Sequence, residues 1–103
     1  MGASQRAKGK CGELEVIRLL KQDFPQAARE LSQYQNTLGR DLKGTKPWCV
    51  QIKRLKQAPA VEKYLHEAIS ALDDEYTIPV LFIRGDRGKW LVVMEADAWR
   101  EML

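Results

Sequence analysis

A mixed α/β fold, with helices packed on a central sheet, is what this sequence predicts, and three observations carry the prediction. Residues 48–53 alternate between apolar Trp48, Val50 and Ile52 and the set Cys49, Gln51 and Lys53, which is the period of a strand. Residues 12–22 and 61–72 repeat apolar side chains at helical spacing. Two further apolar runs flank the turn sequence Gly85-Asp86-Arg87-Gly88. The length of 103 residues fits one domain, 1–103, with no room for a second core.

Taken in order, Leu14, Val16, Ile17, Leu19 and Leu20 place an amphipathic helix over 12–22, ended by Phe24-Pro25. Pro25 is suited to open a short helical turn through Leu31. Residues 32–38 alternate loosely as a strand, and Gly39 permits a turn before Asp41. Pro47 to Leu55 is the clearest strand, and Arg40 to Leu42 is expected to pair with it as a hairpin. After Pro59, the positions of Val61, Tyr64, Leu65, Ala68, Ile69 and Leu72 predict a second helix. Residues 79–84 and 90–94 form a hairpin, and 97–102 a last helix. A helix between the third strand and this hairpin predicts a crossover and therefore a mixed sheet.

Composition narrows the function. The longest apolar runs fall far short of the roughly 20 residues that span a bilayer, so no membrane partner is expected. The basic N-terminus lacks the apolar stretch of a secretory signal, and Arg6 replaces the Ser or Thr of a myristoylation site. A cytoplasmic protein is expected. Cys11 and Cys49, with a single histidine, make none of the usual zinc spacings and read as reduced thiols. The net charge of +3 is unevenly spread. Arg6, Lys8 and Lys10 precede the first expected helix, and Lys43, Lys46, Lys53, Arg54 and Lys56 crowd one stretch, whereas acids gather near 62–75. That asymmetry predicts a basic face able to lie along phosphates.

The chemistry centres on Gln51 and Lys53, two apart on a strand and so on one face. A lysine within an apolar strand is costly unless its ammonium has a partner or a role. Asp41, brought back by a hairpin, would come near Gln51, and Glu13 would approach from the first helix. Hard oxygen donors of this kind suit Mg²⁺, with Mn²⁺ as a substitute, and a lysine beside them can orient or deprotonate a water for phosphodiester hydrolysis. His66 and Glu67, one helix further on, offer a fifth candidate, although Glu67 reads first as a solvated helix residue. Trp48, Trp90 and Trp99 read as core or interface anchors.

These residues resemble those of a known superfamily. The run from Arg6 through Lys8, Gly9, Lys10 and Gly12 to Glu13, leading into an apolar helix, is similar to the opening of archaeal Holliday-junction resolvases and related PD-(D/E)XK nucleases. Gly39-Arg40-Asp41-Leu42 resembles their second motif, with its metal-binding aspartate, and Val50-Gln51-Ile52-Lys53-Arg54 the third, the (D/E)-x-K strand. The two closing strands are similar to those of small phage-encoded endonucleases. The third motif departs from the pattern, because Gln51 stands where an acid is usual. Its carbonyl oxygen can still ligate a metal, with one negative charge fewer.

The resemblance implies a restriction-endonuclease-like core, αβββαβ, with a mixed central sheet flanked by helices. It implies a metal-dependent DNA endonuclease, structure-selective in the manner of a Holliday-junction resolvase and acting in the host cytoplasm if phage-encoded. Glu13, Asp41, Gln51 and the backbone carbonyl of Ile52 would hold Mg²⁺, Lys53 would serve the water, and Arg6, Lys8, Lys10, Arg40, Lys46, Arg54 and Lys56 would contact DNA phosphates. Cutting two strands implies a homodimer, with Trp99, Met102 and Leu103 as candidate interface residues. Two alternatives remain: a catalytically weakened or inactive DNA-binding module of the same fold, and a nicking or end-processing phage nuclease.

Overall fold

The alternation in residues 48–53 resolves into a strand covered on both faces. A computed structural model describes residues 2–31, 40–55 and 61–103, with side chains from Gly9 onward except that of Leu55. The elements run α1 (Gly2–Leu20), β1 (Ala28–Arg29), β2 (Leu42–Lys43), β3 (Trp48–Leu55), α2 (Val61–Ser70), β4 (Ile78–Gly85), β5 (Leu91–Val93) and α3 (Ala96–Glu101). The result is an α/β fold whose main sheet has three strands in the order β3-β4-β5. β3 and β4 are parallel, joined through α2, and β5 returns antiparallel to β4, so the sheet is mixed as expected.

Strand periodicity sorts the core into two layers. Val50, Ile52, Val80 and Phe82 face α1, where they pack with Val16 and Leu42 and against Ile17, Leu20, Trp48 and Trp90. Leu81 and Ile83 turn the other way and pack with Leu65 of α2, and Cys49 packs with Ala71 and Tyr76. Gln51 and Lys53 pair in register with Leu81 and Ile83. They therefore lie on a face that is otherwise apolar and covered by α2. Gly12 lets α1 lie close on the sheet: a Cβ there would stand 3.4 Å from Arg54 Cβ and 3.5 Å from the Trp90 ring.

Three expectations are corrected. The first helix begins at Gly2, so Arg6, Lys8 and Lys10 lie within it rather than ahead of it. Gly9 and Gly12 weaken helical propensity by up to about 1 kcal/mol each, and that weakness hid the longer helix from a local reading. Residues 25–30 form no helical turn. Instead, Ala28–Arg29 is held extended by antiparallel pairing with Leu42–Lys43, in a small sheet of its own. That same pairing replaces the expected ladder between Arg40–Leu42 and β3, of which one backbone bond survives, from Asp41 N–H to the Val50 carbonyl at 2.9 Å. The strand expected over 32–38 and the turn at Gly39 lie outside the described residues.

Gly44 closes the turn after β2. It adopts φ +76°, and a Cβ there would sit 2.1 Å from the Gln26 carbonyl oxygen. Its N–H donates to the Tyr76 hydroxyl oxygen at 3.1 Å. At the far end of the sheet, Arg87 takes φ 67° in the hairpin turn, closed by Gly88 N–H to the Gly85 carbonyl. No helix among the described residues is long and apolar enough to cross a membrane.

Candidate functional site

The open edge of β3 is where the candidate residues meet. Asp41 is 7 % exposed and pinned by backbone bonds on both sides, donating to Val50 and accepting from Glu30 N–H at 2.9 Å. Its Oδ2 accepts the Ile52 N–H at 2.7 Å. Within a strand residue the N–H and C=O point to the same edge, so the Ile52 carbonyl is turned toward the side on which Asp41 stands. Burial pushes the Asp41 carboxyl up to about 7, against the pull of the Ile52 N–H. The Glu13 charge adds to the rise, the Lys53 ammonium opposes it, and the Glu67 charge adds a smaller push. Asp41 thus senses charges from both α1 and α2.

Glu13 occupies the buried stripe of α1, with Val16, Ile17 and Leu20 at the following helical positions. It is 7 % exposed and accepts a bond from Arg29 Nε at 2.5 Å. The carboxylate is therefore engaged by a cation of the chain itself. Arg29 arrives on β1, whose pairing with β2 also sets the approach to Asp41. Nothing local in the sequence marked Arg29, because a two-residue strand leaves no periodicity.

Gln51 is 5 % exposed, and its two amide atoms have opposite fates. Nε2 donates to Glu67 Oε2 at 2.9 Å, while Oε1 is buried with no hydrogen-bond partner. The carboxylate of Glu67 only accepts, which fixes the amide with nitrogen toward α2 and oxygen away from it. Lys53 reaches the same Glu67 Oε2 at 3.3 Å and lies 5.2 Å from the centre of the Tyr64 ring. Glu67, read first as a solvated residue in the sequence, is thus joined to both polar residues on the α2 face of β3. A signal for it existed: it lies three residues after Tyr64 and beside the buried Ala68, flanking the apolar stripe of α2.

The expected phosphate contacts divide. Lys10 is exposed on α1. Lys46 is exposed but paired with Glu75. Arg54 is half-buried beside Glu15, which also accepts bonds from Arg84 Nη1 at 2.7 Å and Trp90 Nε1 at 3.0 Å. Arg40 is 7 % exposed, bonded to Asp73 at 2.8 Å and stacked 3.8 Å from the Tyr76 ring centre. It braces β2 against the loop before β4 rather than facing solvent. The Tyr76 N–H and the Arg40 guanidinium hold the Asp73 carboxyl down at about 2. The side chains of Arg6 and Lys8, and all of Lys56, lie outside the described residues.

Among the described residues no three His, Cys, Asp or Glu side chains form a group that could hold a metal ion. The donors at the β3 edge are of another composition: two carboxylates, an amide oxygen and a backbone carbonyl. The orphaned Gln51 Oε1 fits a hard cation, since a buried acceptor without a donor is left destabilised until a cation or water meets it. No protein-family model matches the chain, and no curated protein or solved structure matches it either.

Proposed function

We propose that this chain is a metal-dependent DNA endonuclease with a restriction-endonuclease-like fold, structure-selective in the manner of a Holliday-junction resolvase. The observation that carries the reading is the bond from Ile52 N–H to Asp41 Oδ2. It joins the second candidate motif to the third at one edge of the strand that also carries the unpartnered Gln51 oxygen, within electrostatic reach of Glu13 and Lys53.

Asp41, Gln51 Oε1, the Ile52 carbonyl and Glu13 would hold Mg²⁺ or Mn²⁺. The bound ion would neutralise charge on the scissile phosphate and make a water acidic enough to attack at neutral pH. Glu13 would join the set by giving up its bond to Arg29. Lys53 Nζ, released from or shared with Glu67, donates to the attacking water or to a phosphoryl oxygen, where its charge offsets the negative charge developing in the transition state. Lys10 and Arg54, with Arg6, Lys8 and Lys56, would contact backbone phosphates and position the duplex without reading bases. Arg40 drops out of that role because its guanidinium is committed to Asp73 and Tyr76.

Two strands of a branched DNA require two such sites, which supports a homodimer. The exposed Trp99, Met102 and Leu103, on and beyond α3, are its proposed interface. A second reading, a DNA-binding module with weak or no cleavage, is favoured by the neutral Gln51 and by the engagement of Glu13 with Arg29. Labelled four-way junction, flap and linear duplex DNA, each incubated with Mg²⁺, Mn²⁺ or EDTA, separate the two. Cutting of the junction in metal and not in EDTA is expected. Binding to DNA with no cutting of any substrate would favour the module instead.

A further inference from the structure

The third candidate motif lacks its acid, yet the site does not lack a carboxylate on that side. Glu67 reaches over from α2 and places one oxygen, Oε2, 2.9 Å from Gln51 Nε2 and 3.3 Å from Lys53 Nζ. Gln51 and Lys53, the polar pair on this face of β3, therefore hang on a single atom of the helix above them. Gln51 is buried and Lys53 half-buried, so neither has a free choice of rotamer. The consequence falls on the other end of the amide. With Nε2 held by an acceptor, Gln51 Oε1 is turned away from α2 and left without a partner.

We infer that Glu67 is the positioning residue of the site, supplying from α2 the negative charge that position 51 lacks and orienting Gln51 so that its neutral oxygen acts as a cation ligand. This rests on the nuclease reading and deepens it. A glutamine free to rotate its amide can turn either end to the site, and only the carbonyl oxygen ligates a cation. Glu67 removes that ambiguity, as outer-sphere carboxylates do for metal-bound histidines, where their loss lowers metal affinity about 10- to 100-fold. The same carboxylate holds the Lys53 ammonium near the site between encounters with substrate. The pairing is reciprocal in its chemistry: a carboxylate at 51 and an amide at 67 preserve the charge and the hydrogen bond with donor and acceptor exchanged.

The test is Mn²⁺ binding to the full chain without DNA, measured by calorimetry on the wild type, Glu67→Gln, Gln51→Glu and the double exchange. Thermal melting of each protein in EDTA identifies any variant that fails to fold. Glu67→Gln is expected to melt near the wild type and to bind Mn²⁺ at least tenfold more weakly. Adding Gln51→Glu to it is expected to return the affinity to within about threefold of the wild type. If Glu67→Gln does not fold, Glu67→Ala in the same titration takes its place, with the same weakening expected. A folded Glu67 variant with wild-type affinity, or a double exchange as weak as Glu67→Gln alone, overturns the role of Glu67 while leaving the nuclease reading in place. A folded wild type that takes up no Mn²⁺ overturns both.

Discussion

Asp41 carries a cost that the fold accepts only because of where it stands. Its carboxyl is raised from 3.8 to about 7, chiefly by burial. Below about pH 4 the group is protonated in folded and unfolded chains alike, and no penalty arises. Between there and about 7 only the unfolded chain ionises, so stability falls with rising pH; above 7 the loss is complete, at most about 4 kcal/mol. Asp41→Asn should flatten the decline in urea midpoint between pH 4 and 7, and an undiminished decline in that variant would contradict the assignment. Glu13 shows the complementary case, a buried carboxylate with a chain cation on it. Arg29→Met strands that charge and should lower stability by about 3 kcal/mol in EDTA. If the proposed cation can take Glu13, saturating Mg²⁺ recovers part of the loss; equal unfolding midpoints with and without Mg²⁺ would argue against a shared site.

At the scale of elements, glycines at two places predict opposite outcomes. Gly44→Ala forces a side chain into φ +76° and against the Gln26 carbonyl, so it should destabilise by about 2 kcal/mol or more, the strain falling on the β1–β2 pair that carries Arg29 and leads to Asp41. Gly9→Ala, on an exposed turn of α1 with nothing within 4 Å of its Cβ, should stabilise by up to about 1 kcal/mol. Chemical denaturation of the two variants side by side checks both signs. The same contrast explains what was legible beforehand. β3 was readable because its alternation is strict and its apolar half faces α1, and the β4–β5 hairpin because its turn residues sit between two apolar runs. The β1–β2 pair was not, since two-residue strands have no period and are made by partners far apart in sequence. Asp41, Gln51 and Lys53 were named as candidates from spacing, and Glu13 from its position in the first helix. Glu67 was a candidate that read first as a solvated helix residue, and its partners, like the whole role of Arg29, emerged when the faces of α1 and α2 were set against β3.

For the whole molecule, the distribution of charge differs from its distribution along the chain. The linear crowding of basic residues suggested a broad cationic face, yet Arg40 turns inward to Asp73, Arg54 and Arg84 gather on Glu15, and Lys46 meets Glu75. A sequence lists its charges without saying which acid folds opposite each base. Among the described residues fewer basic side chains are uncommitted than the linear crowding suggests; on the proposed nuclease reading DNA affinity falls with salt, and Lys10→Ala should reduce the slope of log K against log salt by about one. A slope unchanged by that substitution would remove Lys10 from the interface. Self-association belongs to this scale too. Exposed Trp99, Met102 and Leu103 predict a sedimentation mass of two chains, reduced to one by Trp99→Ser, and a wild type already of single-chain mass would contradict the dimer.

The central claim is that the β3 edge hydrolyses DNA. Its most direct test is single-turnover cleavage of a four-way junction in Mg²⁺ by the wild type, Asp41→Asn and Lys53→Ala, purified in parallel. Cutting by the wild type that falls at least a hundredfold in both variants, with junction binding retained, is the predicted result. Equal cutting by all three proteins would mark a contaminant or a different site, and no cutting by the folded, DNA-bound wild type would contradict the account.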